Sequence, residues 1–230
     1  MRKIRIKFYV VNIMSYVYIL MPIIIFFTNW LKSYIGYSAS ILLIIGSILI
    51  IRKDGFDKND VMEFSMVPFA ISCSLIIVWV AYSGLGGYFY QTGDNHYRNA
   101  IYRDLIQYDW PIIYPETDNA LVYYFNFWLV PALVGKIFGW TVGNFALYLW
   151  GLLGILLIYL NILYYLKCQK GWKLILSAIF IMVWSGENVV GIVISNMLHI
   201  CVNSVAFGSS EGWLDFSRNG YDCSYLYRSN

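Results

Sequence analysis

The residues able to do chemistry gather in one polar stretch, Gly87 to Asn119, GYFYQTGDNHYRNAIYRDLIQYDWPIIYPETDN, within an otherwise apolar chain. Asp94, His96, Arg98 and Arg103 follow closely there. A carboxylate at an aqueous boundary can act as a general base on a hydroxyl nucleophile, while guanidinium groups stabilise a phosphate leaving group. Arginine suits phosphate because its planar fork donates two parallel hydrogen bonds. The plainer role for Asp94 is a helix N-cap, its carboxylate accepting from first-turn amides at the positive end of the helix. The two roles are compatible. His96 reads first as a surface hydrogen-bonding residue and second as a substrate contact. Glu116 and Asp118, just after Pro115, are charges at the start of the following helix; their second role is to bind substrate or a divalent cation beside Asp94.

One further acid stands apart. Glu187 lies in Ser185-Gly186-Glu187-Asn188, a break between two apolar runs. An acid at membrane depth is tolerated only where protein or a water-filled cavity surrounds it, so Glu187 reads as lining a cavity and as a second catalytic candidate. Asn196, His199 and Asn203 follow at i, i+3 and i+7, one helix face suited to helix packing or to a polar cavity.

Other chemistries lose support. Gly84-Leu85-Gly86-Gly87 lacks the lysine and spacing of a nucleotide-binding loop, and GxSxG, HExxH and CxxC are missing. Cys73, Cys168, Cys201 and Cys223 have no ligand spacing, so neither a disulfide framework nor a metal centre is predicted. A divalent cation is the one cofactor these residues leave open.

The elements that must position these residues are hydrophobic helices. Of 230 residues, 60% are hydrophobic and 13% charged, which puts the chain in the integral-membrane class. The predicted fold is all-α, a polytopic transmembrane bundle with an amphipathic helix on its extracytoplasmic surface. A net charge of +3, with the cations clustered at helix ends, excludes a nucleic-acid partner; the partner is the lipid bilayer.

Phe8 to Thr28 predicts a first span, preceded by Arg2, Lys3, Arg5 and Lys7, which place the N-terminus in the cytoplasm. No small-residue cleavage site follows and Pro22 lies inside the run, so it reads as an uncleaved anchor. After a turn at Asn29 to Gly36, Tyr37 to Ile51 predicts a second span, stopped by Arg52 and Lys53. Val67 to Leu85 predicts a third, delivering the polar stretch to the outer face of the cell membrane. Within that stretch Tyr97, Ile101, Leu105 and Tyr108 form one helical stripe, an amphipathic helix lying on the membrane surface and ended by Trp110-Pro111.

Asn119 to Phe138 predicts a further apolar helix carrying Pro131, and Asn144 to Leu166 a clear span. Two rules then conflict at Lys167, Lys170 and Lys173. The charge bias puts this basic turn in the cytoplasm, whereas simple alternation puts it outside. The charge bias is favoured, so the helix from Asn119 to Phe138 is expected not to cross. The chain divides into a membrane hairpin with its cytoplasmic loop (1–66), a membrane core (67–207) and a polar aromatic tail (208–230).

The span, the outer loop with its early acid, the surface helix GDNHYRNAIYRDL and the helix start YPETDNALVYYFNFWLVPAL together resemble the GT-C superfamily of polytopic glycosyltransferases. The resemblance covers roughly Val67 to Asn188, with Asp94-Asn95 standing where several members carry two adjacent acids. It implies a sugar transferred from a polyprenyl-phosphate donor to a glycan, lipid or protein of the cell envelope. It also implies Asp94 as the catalytic base, Arg98 and Arg103 at the donor phosphate, and Glu187 as the second acid near the active site. Members generally carry more helices beyond this point, so the chain is expected to be an N-terminal fragment, inactive alone. The competing expectation is a non-enzymatic transporter, flippase-like or assembly component, with Glu187 and His199 lining a path through the bilayer.

Overall fold

The structure is a computed structural model that describes residues 3–53, 60–89, 93–114, 119–121, 124–168 and 171–185; of Gly93, Asp94 and Ser185 it describes the backbone alone. Seven α-helices lie among these residues: α1 (Phe8–Trp30), α2 (Ser33–Lys53), α3 (Met66–Tyr82), α4 (Gly93–Gln107), α5 (Leu129–Phe138), α6 (Trp140–Tyr165) and α7 (Gly171–Ser185). Three of them, α1, α2 and α6, are long and apolar enough to cross a membrane. At 1.5 Å per residue each exceeds the ~30 Å of a hydrocarbon layer. The predicted turn between the first two shrinks to Leu31 and Lys32, because both helices extend beyond their apolar runs.

The charged segment ahead of α1 is a strand. β1 (Lys3–Lys7) pairs antiparallel with β2 (Val61–Ser65), Ile4 opposite Phe64 and Ile6 opposite Met62. KIRIK and VMEFS both alternate, and the alternation sends Met62 and Phe64 into the core while Lys3 and Arg5 point out. Lys3 Nζ and Arg5 Nε each meet a Glu63 carboxylate oxygen at 2.9 Å. These pairs are exposed, so the register rests on the buried apolar residues rather than on the charges.

This hairpin defines one end of the bundle. Phe8, fully buried, stacks on Tyr164 at the far end of α6, and the Tyr164 hydroxyl donates to Asp60 at 2.6 Å. The start of α1, the start of α3 and the end of α6 therefore meet there. Phe8, Phe64, Ile76, Leu163, Leu174 and Ala178 belong to a single apolar cluster that joins the hairpin to α1, α3, α6 and α7. Asn161 Nδ2 donates to Ser15 Oγ at 3.0 Å, a polar tie between α6 and α1 of the kind that holds apolar helices in register. The first two helices are thus joined to the rest along both β1 and α1.

At the opposite end, here the loop end, α3 gives way to a 3-10 turn over Leu85–Gly87. Gly86 has φ +78°, and a Cβ there would lie 2.7 Å from the Asn144 carbonyl oxygen of α6. Only glycine combines that backbone with that approach.

The helix predicted over Asn119 to Phe138 is three elements. Asn119–Ala120 is β4, paired with β3 (Ile113–Tyr114); a 3-10 turn follows over Phe125–Trp128; α5 begins only at Leu129. Pro131 then falls in the first turn of α5, where a missing amide costs no intrahelical bond. α5 runs antiparallel to the start of α6, so close that a Cβ on Gly143 would fall 2.9 Å from Gly135 Cα. Phe127, in the 3-10 turn two residues before α5, reaches Gly151 of α6. The segment lies beside the first part of α6 and turns back at Gly139.

A candidate site at the loop end

α4 carries the candidate residues. It begins at Gly93, so Asp94 lies inside the first turn rather than at the N-cap position expected for it.

The buried face of α4 is not the stripe read from the sequence. Tyr97 and Tyr108 are 73% and 51% exposed, whereas Tyr102 and Leu105 are fully buried. The helix is rotated towards Tyr102 because α5 and α6 supply the partner surface. The Tyr102 hydroxyl donates to the Gly143 carbonyl at 2.6 Å, and its ring leans on Trp140. Burial raises the Tyr102 hydroxyl pKa well above its ordinary value. With Leu105, Ile112, Phe125, Trp128, Leu129 and Leu147 it forms a second core, to which Trp30 of α1 adds its ring, 4.9 Å from Phe125 and 5.4 Å from Trp110. α4 is therefore docked on protein, not laid flat on a surface by its own stripe.

That rotation separates the two arginines. At about 100° per residue, Arg98 and Arg103 point roughly 140° apart. Arg98 precedes Tyr102 by one turn on the packed side and is half-buried; Arg103 is exposed. His96 and Arg103, seven residues apart, lie within about 20° of one another and share the open face. They stand ~10.5 Å apart along the axis, which suits an extended anion better than one phosphate. The expected converging arginine pair is replaced by His96 with Arg103 on one side and Arg98 on the other.

Both ends of the polar stretch are held. α4 stops at Gln107, earlier than the predicted stop at Trp110-Pro111, because the last carbonyls find other donors: Trp110 Nε1 bonds the Leu105 carbonyl at 2.9 Å and Lys136 Nζ of α5 bonds that of Tyr108 at 2.5 Å. Lys136 also stands over the Trp110 ring, 5.2 Å from its centroid. A cation at a helix C-terminus is favourably placed. Further on, Tyr114 of β3 donates its hydroxyl to Asp104 Oδ2 at 2.8 Å. Burial, and then that hydrogen bond and the carboxylate charge, push the Tyr114 hydroxyl up to about 12. Asp104 is thus occupied in fastening α4 to the β3–β4 hairpin.

Tyr102, Tyr114 and Lys136 are the residues that sequence reasoning missed. Their spacing carries little signal, since each finds its partner on another element. Glu116 and Asp118 join β3 to β4 and, like Glu187, Asn196, His199 and Asn203, lie outside the described residues. Among the described residues no group of three or more His, Cys, Asp or Glu side chains gathers as a cation would require.

No known protein family, no curated protein and no solved structure matches this chain.

Proposed function

We propose that the protein is a multi-pass membrane protein with its hairpin end in the cytoplasm. Supporting this, Lys3, Arg5, Lys7, Arg52, Lys53 and Lys167 belong to the hairpin end, where Phe8 meets Tyr164. With α6 running from the loop end to the hairpin end and α5 turning back beside it, the basic turn after α6 and the N-terminus share a side. The conflict between charge bias and alternation then disappears, with the segment before α6 acting as a re-entrant element that does not cross.

Within that topology we read the loop end as the site of a GT-C-type glycosyltransferase, moving a sugar from a polyprenyl-phosphate donor to a cell-envelope glycan, lipid or protein. The observation that carries this reading is α4: a helix docked by Tyr102 whose first turn holds Asp94 and whose open face holds His96 and Arg103. Asp94 is the general base towards the acceptor hydroxyl. Arg103 meets the donor phosphate, His96 meets a second polar group of the same extended substrate, and Arg98 supports the packed side. In liposomes loaded with polyprenyl-phosphate-linked sugar, Asp94→Asn in the full protein should lower transfer by about 10²-fold or more, the weight of a general base. Transfer at the unsubstituted rate would remove Asp94 from the mechanism.

A further inference from the structure

We infer that the groove between α1 and α2 is a binding site for an anionic phospholipid, whose phosphate sits on Arg52 and whose tail lies along the helix pair. The groove encloses about 590 Å³ and is walled by Val17 and Leu20 of α1 and by Ile44 and Ile48 of α2, with Tyr9 and Arg52 at its hairpin-end mouth. That volume falls within the range of ~300–1,000 Å³ typical of small-molecule sites. From Tyr9 to Ile25 the groove follows α1 for about 24 Å, most of a hydrocarbon layer of ~30 Å.

Its chemistry is divided along its length. Ser47 spends its hydroxyl on the Leu43 carbonyl at 2.7 Å, and Tyr16 is the other polar side chain along the wall, so the body of the groove offers chiefly apolar contact. The charge is at the mouth. Arg52 is the basic residue of the wall, and the nearby described carboxylates are committed: Glu63 to Lys3 and Arg5, Asp60 to Tyr164. Among the described residues no carboxylate pairs with Arg52. A tail with an anionic head matches both halves, and basic pockets between membrane helices on the cytoplasmic side are known to take such heads. The chain's own 189–207 run is apolar enough to fill the groove but carries no acid for Arg52.

The inference rests on the membrane reading above and is independent of the transferase reading. Its test is retention of phosphatidylglycerol against phosphatidylcholine by the purified full chain, read by native mass spectrometry from mixed-lipid nanodiscs. Phosphatidylglycerol should be retained preferentially, and Arg52→Gln should reduce that preference by about fivefold, the weight of one basic side chain at an anionic surface. Lys53→Gln, which does not line the groove, should leave it intact, and Ile48→Trp should displace both lipids. Equal retention of the two lipids, or an equal loss on Lys53→Gln and Arg52→Gln, would overturn the site. So would cross-linking of Ser47→Cys to a second copy or to the 189–207 run in the membrane. Failure of the protein to float with liposomes would remove the membrane reading as well, whereas flotation without lipid preference would remove the site alone.

Discussion

Tyr102 donates its hydroxyl to the carbonyl of Gly143 at 2.6 Å, and through that bond α4 is fastened to the first turn of α6. The bond explains which face of α4 is buried and therefore which candidate residues remain open. Tyr102→Phe should cost about 1 kcal/mol, the net worth of one hydrogen bond, and Tyr102→Ala about 3–5 kcal/mol for an emptied aromatic site. Thermal unfolding in detergent should rank the three proteins in that order; equal losses would show that the hydroxyl, not the ring, holds the helix.

The contact between Gly135 and Gly143 sets how closely α5 lies on α6. A Cβ on Gly143 meets backbone at 2.9 Å, which cannot move as a side chain can. Gly143→Ala should therefore destabilise by about 1–3 kcal/mol. Gly46→Ala in α2, where a Cβ meets nothing within 4 Å, should instead stabilise by roughly 0.5–1 kcal/mol. The pair of unfolding midpoints distinguishes crowding from a general intolerance of larger residues.

Two titrations act in opposite directions. The hydrogen bond from Lys3, with the charges of Lys3 and Arg5, holds the Glu63 carboxyl below its ordinary value. Its contribution is present above the unfolded pKa of about 4.3 and is lost as pH falls through the lower folded value. Tyr114 is raised to about 12, so its contribution is present below the unfolded value near 10 and is lost as pH rises through 12. Glu63→Gln should flatten the acid limb of the stability profile, and Asp104→Asn should bring the Tyr114 phenolate transition to lower pH in an ultraviolet titration.

The proposed topology is open to cysteine labelling. Lys53→Cys and Lys167→Cys should react with a membrane-impermeant reagent from one side, and Tyr97→Cys and Phe138→Cys from the other. Labelling of Phe138→Cys together with Lys53→Cys would show that the segment before α6 crosses after all.

Much of the architecture is legible in the chain. Phe8–Trp30, Ser33–Lys53 and Trp140–Tyr165 are predominantly apolar, and an apolar run of that length satisfies its own backbone as a helix whatever lies beside it. The alternation of KIRIK and VMEFS is strand-like, but the four cations of the N-terminus read as a topology signal, and the pairing of β1 with β2 came only from the structure. The candidate residues were legible only as a group. Asp94, His96, Arg98 and Arg103 share one helix as expected, yet Arg98 and Arg103 diverge instead of converging.

The chain alone indicated which segments form the long hydrophobic helices, with their ends placed to within about one turn, because hydrophobic length is a local property. Tertiary structure settled what depends on partners. Tyr97-Ile101-Leu105-Tyr108 and Ile101-Tyr102-Leu105 are both plausible stripes on α4, and only the carbonyl of Gly143 and the surface of α5 decide for the second. In the same way, Asn119 to Phe138 is apolar enough for a helix, but pairing of Asn119–Ala120 with β3 and the close approach of Gly135 to Gly143 turn it into a strand, a 3-10 turn and a short helix folded back on α6. Burial of one face against another is a relation between distant segments, and hydrophobic periodicity within either segment does not specify it.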